Sequence, residues 1–175
     1  VFSASKTTER QKESPFFLQF WKELPPAGQI TIHHRAWYFL RNEHAVGDPD
    51  EASEWYDVSF DEINHFEKEL VQGGCVLIKI FTHISKKKQK ENMEKGQETM
   101  GSRWEKLTAG GIEGIDYNAY RDVYETMLTA TNTDLALWHI VPMEDKRTGT
   151  EAVFRVLITA LEEALKDRQR PVDPE

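Results

Sequence analysis

The chain has 175 residues, with 22 Lys plus Arg against 30 Asp plus Glu and a formal net charge of −8. That length suits one domain with a sizeable core, and the acidity argues against a general DNA or RNA binder while leaving local basic patches open. No apolar run approaches the ~20 residues of a membrane span, and no secretory leader is expected. The single Cys75 excludes an intramolecular disulfide or a cysteine-based zinc site, and predicts a reducing, cytoplasmic compartment.

Residues 1–13 are polar and aperiodic, and read as a lead-in or linker. Ser14-Pro15 then predicts a helix start, with Ser14 as N-cap and Pro15 in the first helical position. Phe16, Phe17, Phe20, Trp21 and Leu24 form its apolar face, and Pro25-Pro26-Ala27-Gly28 ends it. Gln29 to His34 is short and rich in β-branched residues, so it predicts a strand. Arg35 to Leu40 follows as the strand-to-helix turn or the start of a helix. Gly47-Asp48-Pro49-Asp50 is a loop. Ser59 and Glu62 have the spacing of a capping box, ahead of a helix faced by Phe60, Ile63, Phe66 and Leu70 and ended by Gly73-Gly74.

Cys75 to Phe81 is nearly continuous in apolar residues, as in a parallel-sheet strand buried on both faces. Ser85 caps a lysine-rich helix holding Lys86, Lys87, Lys88, Lys90 and Lys95. Gly96 to Gly114 is a mobile-looking stretch. Tyr117, Tyr120, Tyr124, Met127 and Leu128 place another helix, and Leu135 to Val141 is a third strand, with Asp145-Lys146-Arg147 as the loop after it. Val153, Val156, Leu157, Ala160, Leu161, Ala164 and Leu165 mark the last helix, and 169–175 is a polar tail. Alternating helices and apolar strands predict an α/β domain over 14–168, a parallel sheet covered by helices on both faces. Ligands of such sheets sit at the carboxyl ends of the strands, here His33–Tyr38, Thr82–Lys88 and Pro142–Arg147.

Within that frame Lys79 stands inside a strand, sharing a face with Leu77 and Phe81. A buried ammonium must snorkel, pair with a carboxylate or meet an anion, which leaves a structural pair and an anion site both open. The lysine-rich helix is either a solvated face or a platform for a polyanion. Its N-terminus at the ligand edge would favour phosphate through backbone N–H groups and the helix dipole, and Ser85 could add a hydroxyl. His33 and His34 are adjacent in a strand, so they point to opposite faces and cannot easily share an ion. A His34–His83 pair at neighbouring strand ends is a weaker option. Gly110-Gly111 with Gly114 does not follow a strand and is not a phosphate-binding loop. No G-x-x-x-x-G-K-[ST], G-x-S-x-G or H-E-x-x-H occurs, and no Ser, His and Asp spacing identifies a triad. Trp37, Trp104 and Trp138 read as core or lid packing.

Longer stretches carry a resemblance. Phe20-Trp21-Lys22-Glu23-Leu24-Pro25-Pro26-Ala27-Gly28, an apolar strand, and then Arg35-Ala36-Trp37-Tyr38 resemble the polyphosphate kinase type 2 family. So do Phe66-Glu67 with Leu70 and Gly74, then Leu77-Ile78-Lys79-Ile80-Phe81-Thr82-His83-Ile84-Ser85. Arg103-Trp104, Tyr120, Met127, Thr131, Trp138-His139-Ile140-Val141 and Asp145-Lys146-Arg147 continue the match in order, from about Pro15 to Leu165. The resemblance implies a P-loop-kinase-like three-layer domain with a helical lid segment around Arg103 to Tyr120. It implies phosphoryl transfer between inorganic polyphosphate and AMP or ADP, with magnesium in active members and no cofactor assigned to this chain. The family's phosphate-binding loop would precede Val1.

The departures are informative. The family motif Asp-Arg-Ser-Trp-Tyr reads His34-Arg35-Ala36-Trp37-Tyr38 here. The Asp would organise magnesium, which prefers hard oxygen ligands that an imidazole cannot supply. A further Arg of the motif is Leu40, and Asn92 and Lys95 stand where two arginines are usual after Ser85. The pattern is similar to the degenerate first half of tandem polyphosphate:AMP phosphotransferases. It implies a catalytically silent domain that supports a second such domain or a homo-oligomer, or binds polyphosphate weakly through Arg35, Lys79, Ser85, Lys86, Lys87, Lys88 and Arg103. No catalytic residue and no metal ligand is assigned. The alternatives are an active fragment whose loop lies upstream, and a structural module in which the first and last helices make a dimer interface. Neither nucleic acid nor membrane is an expected partner.

Overall fold

The computed structural model describes residues 1–3, 13–46, 56–101 and 117–169. The chain divides into two compact units, Val1–Phe66 with Thr99–Thr131, and Glu67–Glu98 with Asn132–Glu175.

In the first unit, strand β1 (Phe2–Ser3) pairs in parallel with β2 (His33–His34). Phe2 N–H extends the ladder by donating to the Ile32 carbonyl at 2.9 Å. The polar composition of the first thirteen residues did not announce β1. The strand predicted over Gln29–His34 is shorter than expected, and Ile30 and Ile32 stay exposed. Helix α1 is a single turn, Leu18–Trp21, and Ser14 is not its cap. The Leu18 N–H donates instead to the Pro15 carbonyl at 3.0 Å, a tight three-residue turn that carries the chain into the helix. What holds the segment is tertiary. Phe20 packs edge-on against Trp37 at 5.6 Å, Phe17 stacks on Phe66 at 4.4 Å, and Trp37 meets Phe66 edge-on at 5.0 Å. Aromatic pairs in such geometries add about 0.5–1.5 kcal/mol each beyond area burial.

Helix α2 (Ala36–Val46) starts immediately after β2. The junction is strained, because Arg35 and Ala36 have φ of 70° and 43°, a region that costs an L-residue about 1–3 kcal/mol. Trp37, Tyr38 and Leu40 are buried and hold the junction in place. Helix α3 (Phe60–Gln72) gives its first half to this unit. The expected capping box is present: Ser59 N–H donates to Glu62 Oε2 at 2.9 Å and Glu62 N–H donates to Ser59 Oγ at 3.2 Å. Helix α5 (Tyr117–Ala130) brings buried Met127 against α2, where Asn42 Nδ2 lies 3.0 Å from Met127 Sδ.

The second half of α3 opens the second unit. It ends on a left-handed Gly74 at φ 88°, with Cys75 N–H donating to the Leu70 carbonyl and Gly74 N–H to the Val71 carbonyl, each at 3.0 Å. That is the six-to-one and five-to-two pattern glycine permits at helix ends. Strand β3 (Lys79–His83) pairs in parallel with β4 (Trp138–Pro142), Lys79 opposite Trp138 and His83 opposite Pro142. The strand predicted from Cys75 begins only at Lys79. The chain before β4 is folded into a turn bridged from Thr133 to Ala136, and Asn132 Oδ1 takes the Trp138 N–H at 2.9 Å, so Cys75–Ile78 has no ladder partner there. Helix α4 (Lys86–Met100) follows β3, and α6 (Lys146–Gln169) follows β4. Gly149 lets α6 approach β4, since an added Cβ would fall 2.9 Å from the Pro142 carbonyl oxygen and nearer still to Met143 Sδ.

The single parallel sheet predicted over three strands is therefore corrected among the described residues: they form two separate two-stranded parallel ladders. The mixed α/β character and the parallel pairing hold.

Ser59→Ala removes one orphan N–H acceptor of α3 and should cost about 1 kcal/mol in urea unfolding. A change below ~0.3 kcal/mol would mean that the cap adds nothing to packing of the helix.

Candidate functional site

The carboxyl ends of β3 and β4 lie side by side and each leads into a helix. Beyond His83, Met143 N–H donates to its carbonyl at 2.7 Å and prolongs the ladder. Ser85 caps α4: its Oγ accepts from Lys88 N–H at 3.2 Å and its carbonyl accepts from Gln89 N–H at 2.8 Å. Asp145 caps α6, with Oδ1 accepting from Thr148 N–H at 2.8 Å and from its hydroxyl at 2.7 Å. Asp145 is thus a helix cap rather than loop, and Lys146 and Arg147 sit in the first helical turn, where the dipole opposes positive charge. Two of the three predicted strand-end segments, Thr82–Lys88 and Pro142–Arg147, meet in this rim. The third, His33–Tyr38, lies in the other unit.

The rim is not simply basic. The Glu144 carboxylate accepts the Ser85 backbone N–H and so occupies the first donor of α4. That bond holds the Glu144 carboxyl below its usual range against the opposing effect of desolvation, with the Ser85 side chain, Lys88 and His83 adding to the lowering. The Asp145 carboxyl is likewise lowered, first by the Thr148 N–H, with Lys88 contributing. Sequence reading missed Glu144. Its signal was available: an acid directly before a helix cap, opposite a neighbouring helix start.

The predicted site residues fall into distinct roles. Lys86 and Lys87 are exposed on α4, and Lys88 is half-buried. Lys87 and Lys88 each lie 3.9 Å from Glu91, and Lys90 lies 3.8 Å from Glu94, loose surface pairs worth about 0.3–0.5 kcal/mol. Much of the lysine charge therefore faces solvent. Lys79 is different. Its Nζ sits 2.8 Å from Glu67 Oε2, with both side chains 2% exposed, and lies 5.2 Å from the centre of the Trp138 ring. Of the two roles open to this ammonium, the geometry supports the structural pair.

In the first unit His34 is exposed, and its Nδ1 lies 3.1 Å from Ser3 Oγ. Arg35 is also exposed, its guanidinium 4.5 Å from the centre of the Phe39 ring. His33 turns inward, against Phe2 at 5.5 Å and Trp37 at 5.9 Å between ring centres. Both its ring nitrogens are buried without a hydrogen-bond partner among the described residues. Desolvation pushes its pKa down, and Glu23 opposes that only in part. Arg103 lies outside the described residues.

These groups do not fit magnesium. The ion takes oxygen ligands, while His34 offers nitrogen and spends Nδ1 on Ser3. Among the described residues no three His, Cys, Asp or Glu side chains gather where they could hold a metal. No helix of the described residues is long and apolar enough to cross a membrane.

The chain matches the polyphosphate kinase 2 (PPK2) family over residues 1–169. It belongs to that family. A polyphosphate:AMP phosphotransferase of Pseudomonas aeruginosa is 29% identical over 160 residues, covering 91% of this chain and 32% of that protein. An NDP-polyphosphate phosphotransferase of Ruegeria pomeroyi is 28% identical over 177 residues, covering all of this chain and 58% of its own length. The crystal structure of polyphosphate kinase 2 from Arthrobacter aurescens superposes with a TM-score of 0.73 at 24% identity, over 99% of this chain and 61% of that one. The fold is thus that of the family's solved structures, and the chain spans between a third and three fifths of these relatives.

Two outcomes test this PPK2 domain. Lys79→Met strands a buried Glu67 and should cost about 3–5 kcal/mol in urea unfolding, with most of the loss recovered in Lys79→Met/Glu67→Leu. A loss below ~1 kcal/mol in the single variant would remove the pair from the scaffold. His33 has a folded pKa below its unfolded value. The unfolded chain therefore takes up the proton first, and stability should decline as pH falls below about 6.5. His33→Phe should flatten that decline; an unchanged slope would place the titration elsewhere.

Proposed function

We propose that this chain is a polyphosphate-kinase-2 domain that holds polyphosphate without turning it over, the counterpart of a degenerate first half in a tandem polyphosphate:AMP phosphotransferase. The observation that carries the proposal is His34. An imidazole stands at the position of the family motif's Asp, and it is tied to Ser3. Phosphoryl transfer depends on positioned cations around the transferred group, and loss of the metal carboxylate removes one of them. The relative from Pseudomonas aeruginosa, of which the chain spans 32%, is in keeping with a domain that is part of a larger enzyme.

In this reading the domain is of the three-layer P-loop-kinase type. A second domain of the same type does the chemistry on AMP or ADP in a cytoplasmic setting. Lys86, Lys87 and Lys88 contact polyphosphate. Ser85 and Lys79 act differently. Ser85 Oγ caps α4 and its N–H is taken by Glu144, while Lys79 neutralises Glu67. In this reading both hold the scaffold rather than touch the chain of phosphates.

The test is direct. The 175-residue chain, given polyphosphate, magnesium and AMP or ADP, should form no nucleotide product above background. It should bind labelled polyphosphate, with affinity that falls as salt screens the lysines. Lys86→Ala/Lys87→Ala should weaken binding severalfold. Sustained phosphorylation of AMP or ADP would overturn the silent assignment and favour an active fragment. Binding that ignores both salt and the lysine pair would overturn the basic platform.

A further inference from the structure

His33 carries two polar atoms into the ring cluster of the first unit. Phe2 of β1 lies 5.5 Å from it, Trp37 of α2 5.9 Å and Phe20 of α1 6.3 Å, between ring centres. Both ring nitrogens are buried, and neither meets a hydrogen-bond partner among the described residues. A neutral imidazole tolerates such a site better than an imidazolium, which brings a full charge and two N–H donors. Burial pushes the His33 titration down; Glu23, beyond α1, opposes this in part, and the Val1 amino group beside β1 adds to it. The other cations and the second imidazole near the cluster turn elsewhere. His34 faces outward to Ser3, Arg35 lies over the Phe39 ring, and Arg41 of α2 donates to the Val58 carbonyl. Proton uptake therefore favours any state in which the His33 ring reaches water.

The three rings around His33 are held unequally. Phe20 is fully buried and packs on Phe16 at 5.8 Å as well as on Trp37. Trp37 is buried and meets Phe66 edge-on. Phe2 is only half-buried, and it comes from a strand of two residues. That strand is anchored by its short parallel ladder with β2, by the Phe2 N–H on the Ile32 carbonyl and by the Ser3 Oγ contact with His34 Nδ1 at 3.1 Å. Segments with so few backbone bonds and so little buried area open locally at a fraction of the cost of global unfolding. The route to water that breaks least is therefore through β1, since displacing Phe20 or Trp37 would break the contacts that hold α1 and the strained start of α2.

We propose that His33 is a proton-operated latch on the β1–β2 ladder: protonation of its ring releases Phe2–Ser3 from His33–His34 while α1, α2 and the remaining rings stay packed. Release also frees His34 Nδ1 from Ser3. The latch does not depend on the polyphosphate reading.

The chain carrying para-fluorophenylalanine in place of Phe2 reports the latch by fluorine NMR. Lowering the pH from about 7.5 to about 5 should move the fluorine signal from a packed to a solvent-exposed position, with the same midpoint as the His33 titration followed by histidine NMR. Far-UV circular dichroism should stay unchanged across that step. In His33→Phe, which leaves His34 in place, the fluorine should stay packed over the whole range. Linkage supplies a second arm, because what opens with the proton must also bind it more readily once opened. Phe2→Ala should therefore raise the His33 midpoint toward the ordinary histidine value of 6.5. A fluorine that stays packed while His33 takes up its proton would overturn the latch, as would equal release in His33→Phe or an unmoved midpoint in Phe2→Ala. Release that comes only with loss of the dichroism signal would also overturn it, since the opening would then be global.

Discussion

The buried Glu67–Lys79 pair ties the second unit together. Glu67 comes from a helix and Lys79 from the strand that follows it, so the 2.8 Å bond fixes how one element lies on the other. Burying either charge alone would be costly, and the pair is tolerable because each removes the other's penalty. The Trp138 ring beneath the ammonium comes from the neighbouring strand opposite Lys79 in register. One interaction thus joins helix, strand and neighbouring strand. The pair sits at the start of those strands, and their carboxyl ends lead to Ser85, Lys88, Glu144 and Asp145.

That rim is a compromise between two signs of charge. On the proposed reading, the lysines of α4 give it attraction for a polyanion. Glu144, bound to the first donor of the same helix, removes the spot where a phosphate would gain most from the dipole. What remains is a set of exposed ammonium groups, suited to loose, salt-sensitive contact and poorly suited to holding one phosphoryl group in a reactive pose. The proposal of a silent domain rests beside this on the imidazole of His34, which offers magnesium nitrogen where the ion takes oxygen.

The first unit is held by rings. Phe17, Phe20, Trp37 and Phe66 form contacts that fix a one-turn helix and a strained junction at Arg35 and Ala36. His33 belongs to that cluster, while its neighbour His34 faces out. Strand alternation thus separates two adjacent imidazoles into a packing group and a surface group.

Local pattern alone was enough for the Ser59–Glu62 box, the glycine stop after α3, the Ser85 cap and the long last helix, because each rests on contacts within a few residues. The family resemblance carried by the Trp37-Tyr38 and Leu77–Ser85 stretches was legible in the same way. Pattern could not say whether Lys79 would meet a carboxylate or an anion, since its partner lies 12 residues back in the preceding helix, across the glycine stop. It could not place Phe2–Ser3 in a ladder, shorten the helix after Ser14, or put Glu144 on Ser85. Those outcomes depend on which distant groups arrive within hydrogen-bond or van der Waals reach, and only the folded chain sets those distances.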